Sequence, residues 1–249
     1  MNGVFFDLGK TLLDNYGYDT VDALHALYNK TDKNIEFSIL YEEYKKYHKQ
    51  EFGKAKEDLS EVVLGDFLYR LFKVIGLNSD LNSEELEEVF FFEFVKNEGI
   101  LKEAKLILDY FKDRNYIIIA VSNSCISSKN LLKGMNNLGI GKYFNEVISS
   151  SDIRIRKPRK EIFDVAIERM KSYNVEKCNM LFIGNDYICD MQGSFEVGLR
   201  NVWFNEYKAP DTNNYVTFNV SSYKDLIELL ENNDWTSEWF LLVFCYYSY

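Results

Sequence analysis

Apolar positions follow two patterns along this chain, and the change from one to the other divides it. Short continuous apolar runs, each ending in Asp, Ser, Asn or Gly, read as strands buried on both faces. They are Val4-Phe5-Phe6, stopping at Asp7, and residues 116–121, 146–149, 180–183 and 201–204. Between the later runs, residues 102–112, 127–137, 160–173 and 190–197 carry apolar residues at helical spacing. Strand–helix alternation predicts an α/β fold, a parallel sheet with helices on both faces. Residues 15–97 differ. Here 21–28, 35–52 and 59–75 have helical spacing with many Lys and Glu, and no strand is read. The expected organisation is a core of residues 1–14 and 98–233, an all-helical insertion over 15–97, and an apolar tail over 234–249. The tail holds Trp239-Phe240-Leu241-Leu242-Val243-Phe244. It is shorter than the roughly 20 residues that cross a bilayer, so packing on the core or on a second copy in a homodimer is expected, and no membrane partner.

Composition narrows the function. A chain of 249 residues, 47% hydrophobic, can bury a large core without disulfides. Its net charge of −10 argues against nucleic acid as a partner, which calls for a clustered basic surface. An anionic substrate must therefore be met by a metal, a Lys or backbone N–H groups. The start, Met1-Asn2-Gly3, has neither a basic stretch nor a small-residue cleavage site, and a cytoplasmic location is expected. Cys125, Cys178, Cys189 and Cys245 stand far apart, which suits reduced thiols rather than a zinc site or a disulfide framework. His25 and His48 lie in charged helical sequence and are expected at the surface, outside the chemistry.

In parallel sheets ligands sit beyond the carboxyl ends of the strands. The residues just past each predicted strand are therefore informative: Asp7 with Thr11, then Ser122-Asn123, then Lys157-Pro158, then Gly184-Asn185-Asp186 with Asp190. Carboxylates, hydroxyls and one ammonium converging on one edge suit a hard cation together with a phosphate-like anion. Asp7 is the candidate nucleophile, Ser122 and Lys157 the groups that neutralise developing charge, and Asp186 or Asp190 the metal ligands. Thr11 and Asn123 are the candidate substrate-binding residues.

These segments resemble the ordered motifs of the haloacid dehalogenase superfamily: Phe6-Asp7-Leu8-Gly9-Lys10-Thr11-Leu12, Val121-Ser122-Asn123, Arg156-Lys157-Pro158 with Ile162-Phe163, and Ile183-Gly184-Asn185-Asp186 with Asp190 and Gly193. The resemblance implies a Rossmann-like core, a C1-type helical cap formed by the insertion, and an aspartyl-enzyme intermediate on Asp7. It also implies Mg²⁺ held by the Asp7 carboxylate, the Gly9 carbonyl and a carboxylate of the fourth motif. That last ligand is open between Asp186 and Asp190, and if Asn185 takes the first acidic position one contact is neutral.

One departure stands out. Many phosphatases of the family carry a second Asp two residues after the nucleophile as general acid and base, and here that residue is Gly9. Losing such a group costs roughly 10²–10⁴-fold. The neighbouring Lys10 is a poor base when solvated. The leading expectation is hydrolysis of a small phosphorylated metabolite. Its competitors are dehalogenation, which needs no second Asp, and a binding or regulatory role for a weakened enzyme. The aromatic stretch Val89-Phe90-Phe91-Phe92-Glu93-Phe94 is expected to pack rather than to bind substrate.

Overall fold

The computed structural model describes residues 1–14 and 19–232, so the tail expected to pack on the core lies outside the described residues. The chain runs β1 (Gly3–Phe6), β2 (Leu13–Asp14), α1 (Thr20–Tyr28), α2 (Phe37–Asp58), α3 (Leu64–Ile75), α4 (Ser83–Phe94), β3 (Gly99–Ile100) and α5 (Ala104–Asp113). It continues through β4 (Ile117–Ser122), α6 (Ser128–Asn137), β5 (Glu146–Ser149), α7 (Ser150–Ile153), α8 (Lys160–Ser172) and β6 (Met180–Gly184). Then come α9 (Gly193–Glu196), β7 (Arg200–Phe204), β8 (Phe218–Val220) and α10 (Tyr223–Asn232).

Six strands form one parallel sheet in the order β5-β4-β1-β6-β7-β8. Successive side chains of a strand point to opposite faces, and the sheet's core divides accordingly. Phe5, Ile119, Val121 and Phe182 pack on one side against Ile162, Phe163, Ala166 and Met170 of α8. Val4, Phe6, Ile118, Ala120, Leu181 and Ile183 pack on the other, against Ile107, Leu108 and Phe111 of α5 and Leu226 of α10. Apolar partners on both faces explain why these strands read as unbroken hydrophobic runs. The α/β fold with helices on both faces is therefore present. The apolar pattern gives no strand after Phe204, yet the sheet has one. β8 is a three-residue edge strand, Phe218-Asn219-Val220, too short to carry a periodic signal.

Helices α1 to α4 lie between β2 and β3, which pair antiparallel with Leu13 opposite Ile100 and Asp14 opposite Gly99. That ribbon holds both ends of the helical stretch together at the sheet's carboxyl edge. α4 starts at a capping box. Asn82 accepts from the Glu84 and Glu85 N–H groups, and the Glu85 carboxylate accepts from the Asn82 N–H at 2.9 Å. The helix expected over 59–75 is corrected: α2 runs to Asp58, Leu59 turns left-handed (φ 57°), and α3 begins only at Leu64. The intervening residues pair with the core instead. Arg156 N–H donates to the Leu59 carbonyl at 3.0 Å, Glu61 N–H donates to the Arg154 carbonyl at 3.1 Å, and Ser60 forms an antiparallel bridge with Ile155.

Candidate active site

β1 ends one residue before Asp7, whose N–H still donates to the Ile183 carbonyl at 2.9 Å and so continues the ladder with β6. The chain then leaves the sheet in a tight turn. The N–H groups of Leu12 and Leu13 both reach the Leu8 carbonyl at 2.8 Å, and the left-handed residue is Lys10 (φ 59°), not Gly9. This turn aims Thr11 inward, where its hydroxyl lies 3.0 Å from Asp7 Oδ2 and 3.3 Å from Asn185 Oδ1. The Tyr223 hydroxyl of α10 donates to the Thr11 carbonyl and holds the turn from behind.

Lys157 is 1% exposed, and its ammonium uses all three protons: to Asp7 Oδ1 at 2.7 Å, Asp190 Oδ1 at 2.7 Å and the Val121 carbonyl at 2.9 Å. Burial works against the charged ammonium, yet the Asp190 and Asp7 carboxylates outweigh it and hold its pKa above the ordinary lysine value. Asp190 is fully buried, which pushes its carboxyl up to about 7 against the opposing pull of Lys157. Its other oxygen accepts from the Asp186 N–H at 2.9 Å. A Cβ on Gly184 would overlap the Asp190 carboxylate, so this close return of the chain requires glycine.

The segment between β6 and α9 corrects a second expectation. The helical spacing from residue 190 predicts an ordinary helix there, whereas a π-helical turn spans Tyr187–Gln192. Asp186 caps it, one carboxylate oxygen accepting from the Ile188 N–H at 2.9 Å and the Cys189 N–H at 2.7 Å. Such wide turns cluster at functional sites, and this one swings Asp190 back beneath the sheet edge.

Asp7, Gly9, Ser122, Asn123, Lys157, Asp186 and Asp190 all line one cavity of about 580 Å³. Three of the expected site residues have partners within the protein. Thr11 is fully buried and outside the cavity lining, with its hydroxyl against Asp7. The Asn123 amide is spent at both ends on Lys157, donating to its carbonyl at 3.0 Å and accepting from its N–H at 2.7 Å, which fixes the loop that carries the ammonium. Asp190, a candidate metal ligand in the sequence, accepts at both oxygens, from Lys157 and from the Asp186 N–H, as Asp7 does from Lys157 and Thr11. Ser122, in contrast, lines the cavity with its hydroxyl unbonded to any described residue and open to a ligand.

The cavity's opposite wall comes from the helical stretch: Tyr44, His48, Phe52, Phe90, Phe91 and Phe94 among others. His48 thus faces the site, against the expectation that placed it at the surface, while the 89–94 stretch packs in the core as expected and in addition turns Phe90, Phe91 and Phe94 to the cavity. Sequence reasoning also missed Glu61. Its buried carboxylate accepts from Arg156 Nη1 at 2.9 and 3.0 Å and from the Ser150 hydroxyl at 2.6 Å, tying the helical stretch to the Lys157 loop. Nothing in the local pattern marks it, because its partners are about 90 residues away in the chain. Burial holds the Cys125 and Cys189 thiols neutral, each pushed up to about 12.

A carboxylate just past the first strand, tied to a buried lysine and to an acidic fourth segment on a parallel sheet, is the arrangement that the four ordered sequence motifs led one to expect. Residues 1–198 match the haloacid dehalogenase-like hydrolase family, and the chain belongs to it. It is 26% identical over 234 residues to the pyrimidine 5′-nucleotidase PynA of Streptococcus pneumoniae, covering 92% of this chain and 95% of that protein. Two solved structures share the fold. One is the 2-haloacid dehalogenase of Pseudomonas syringae pv. tomato DC3000 (TM-score 0.67, 21% identity, 93% of this chain and 99% of that one). The other is the HAD-hydrolase YfnB of Bacillus subtilis bound to magnesium (TM-score 0.58, 22% identity, 92% and 98%).

Members of this superfamily typically use Mg²⁺. Among the described residues no three His, Cys, Asp or Glu side chains form a metal cluster. The oxygens at hand still suit a hard cation. Thr11 has a single hydroxyl proton facing both Asp7 Oδ2 and Asn185 Oδ1, which leaves one of those two acceptors open. The Gly9 backbone and the Asp186 carboxylate border the same cavity. These oxygens are of the kind that Mg²⁺ takes. No helix among the described residues is long and apolar enough to cross a membrane.

Proposed function

We propose that this chain is a Mg²⁺-assisted phosphomonoester hydrolase acting on a small phosphorylated metabolite through an aspartyl-phosphate on Asp7. The observation that carries the reading is the Asp7 carboxylate, pinned by Lys157 and Thr11 at the floor of a cavity where the Ser122 hydroxyl is open. Asp7 attacks phosphorus, the bond from phosphorus to the ester oxygen breaks, and the alkoxide leaves and takes a proton from solvent water. Water then attacks the acyl-phosphate, releasing inorganic phosphate and regenerating the carboxylate. Lys157 and Ser122 stabilise the negative charge that builds on the phosphoryl oxygens. Asp190 keeps the ammonium charged and aimed. Asp7, Asn185, the Gly9 carbonyl and a carboxylate of Asp186 or Asp190 would hold Mg²⁺, which when bound would further neutralise phosphate charge.

The test is a panel of phosphorylated metabolites with and without Mg²⁺, with Asp7→Asn as the blank. Release of phosphate that requires both Asp7 and Mg²⁺ is expected, and its absence across the panel would refute the proposal. A second reading, dehalogenation, is favoured by one observation: Asp186 and Asp190 each have a protein-side task that needs no metal. Halide release from a 2-haloacid in the presence of a chelator would select it.

The neutral metal contact makes its own prediction. Asn185→Asp is expected to tighten Mg²⁺ about tenfold by adding a charge beside the cation. At saturating Mg²⁺ that corresponds to about 1.4 kcal/mol of extra stabilisation, or roughly 3–6 °C in melting temperature. Equal Mg²⁺-induced shifts in wild type and variant would remove Asn185 from the ligand set.

A further inference from the structure

The cavity wall opposite Asp7 has an order that its composition alone does not reveal. Tyr44, His48 and Phe52 recur every four residues on α2, and Phe90 and Phe94 do so on α4, so each set shares a helix face. Their rings form a ladder. Phe52 and His48 stack at 4.1 Å and 19°, His48 and Tyr44 at 5.4 Å and 28°, Tyr44 and Phe90 at 5.9 Å and 25°, and Phe90 and Phe94 at 5.6 Å and 27°. All five rings line the cavity that contains Asp7.

Two of these rings carry polar atoms, and neither set is used by the protein. The Tyr44 hydroxyl and both His48 ring nitrogens make no hydrogen bond among the described residues. They are not sealed in either, since the one enclosed, unpartnered side-chain atom among the described residues is Asn130 Oδ1. Burial lowers the His48 pKa below its ordinary value, so at neutral pH the imidazole offers one donor and one acceptor. The Tyr44 hydroxyl offers the same pair. The segment between β2 and β3 contributes no Lys or Arg to the described lining, and its charged groups there are both acidic, Glu61, already paired with Arg156, and Glu98. That wall suits a neutral, flat, amphipathic group and repels a second anion.

We propose that the Tyr44 hydroxyl and the His48 imidazole are specificity-determining groups on the leaving-group side of the Asp7 cavity, selecting phosphate monoesters whose neutral leaving group ends in a heteroaromatic ring: nucleoside monophosphates. The proposal rests on the phosphohydrolase reading above. The ring ladder receives the apolar body of the base, and the two free polar groups bond its edge atoms. A sugar phosphate without a base leaves both the aromatic wall and those polar groups unmatched.

The experiment compares uridine and adenosine monophosphates with the same ribose phosphate lacking the base, using the full chain. Phosphate release gives kcat/KM, and calorimetry on Asp7→Asn protein gives affinity without turnover. The better nucleotide is expected to exceed ribose phosphate at least about tenfold. Tyr44→Phe and His48→Phe, which keep the rings, should each lower the nucleotide's kcat/KM about fivefold, the size of one neutral hydrogen bond. The loss should appear in KM and in calorimetric affinity, and be several-fold smaller for ribose phosphate. Ribose phosphate taken as well as either nucleotide, or equal losses for both substrates, would overturn the subsite while leaving the phosphohydrolase reading intact. If no ester is hydrolysed, that reading falls and calorimetry decides alone. Nucleotide binding weakened by Tyr44→Phe sustains the subsite, and no nucleotide binding, or binding indifferent to both variants, overturns it.

Discussion

Lys157→Met is expected to abolish most activity and to destabilise the fold together, because one ammonium serves both. Its three protons are all committed, two of them to carboxylates. Methionine matches its length but leaves Asp7 and Asp190 facing each other without the cation between them. Breaking a buried ion pair from one side costs roughly 3–5 kcal/mol, and for a chain of this size that is a fall of roughly 6–20 °C in melting temperature. Losing a preorganised charge at the transition state costs a further factor of roughly 10²–10³ in turnover.

The stability loss should depend on pH, with a definite sign. Asp190 already has its folded pKa raised, to about 7, above the ordinary carboxylate value near 3.8. A raised carboxyl binds more protons folded than unfolded, so its contribution to stability falls as pH rises between those two values. Removing Lys157 takes away the main attraction opposing that rise, and the window extends upward. The gap between wild type and Lys157→Met should therefore be wider at pH 8 than at about pH 5.5. Thermal melts at the two pH values, with a phosphate-release assay, measure both effects. A variant melting within about 1 °C of wild type at pH 8, where the predicted loss is several kcal/mol, would show that the ammonium is not the electrostatic centre of the site.

Asp7, Ser122, Lys157 and Asp190 were legible in the sequence because each comes after a continuous apolar run or begins the helix beyond one. A parallel sheet sends the carboxyl ends of its strands to one edge whatever the details of packing. Their individual tasks were less legible. Thr11 and Asn123 are hydroxyl and amide groups that serve equally well against a ligand or against a neighbouring loop, and only the tight turn at Lys10 and the clamp on Lys157 distinguish the two. Tyr44, His48 and Glu61 were invisible as site residues for a different reason. They sit in helical sequence, where their spacing reports only which face is buried, and the cavity they line is made by tertiary docking of that face over the sheet edge. Glu61 in addition sits in a break between α2 and α3 that helical periodicity bridges without a mark.

Gly9→Asp is expected to speed hydrolysis of alkyl phosphates by something approaching roughly 10²–10⁴-fold, the worth of a general acid and base. Gly9 lines the cavity two residues beyond Asp7, on the same turn, so a carboxyl introduced there is placed at the cavity that the proposed nucleophile also lines. The backbone permits it. The left-handed residue of the turn is Lys10, not Gly9, and an L side chain at position 9 meets no penalty from its φ. In the wild type, with that carboxyl missing, departure of the alkoxide must rely on its own stability. An aryl phosphate, which leaves as a stabilised phenolate, should therefore be cleaved much faster than an alkyl phosphate. The added carboxyl should compress that ratio by accelerating the alkyl substrate while changing the aryl substrate little. Turnover of both substrates by wild type and Gly9→Asp, with Asp7→Asn as control, measures it. Efficient alkyl phosphate hydrolysis by the wild type, lost in Asp7→Asn, would show that another group lining the cavity already delivers the proton, and the compression would then be absent.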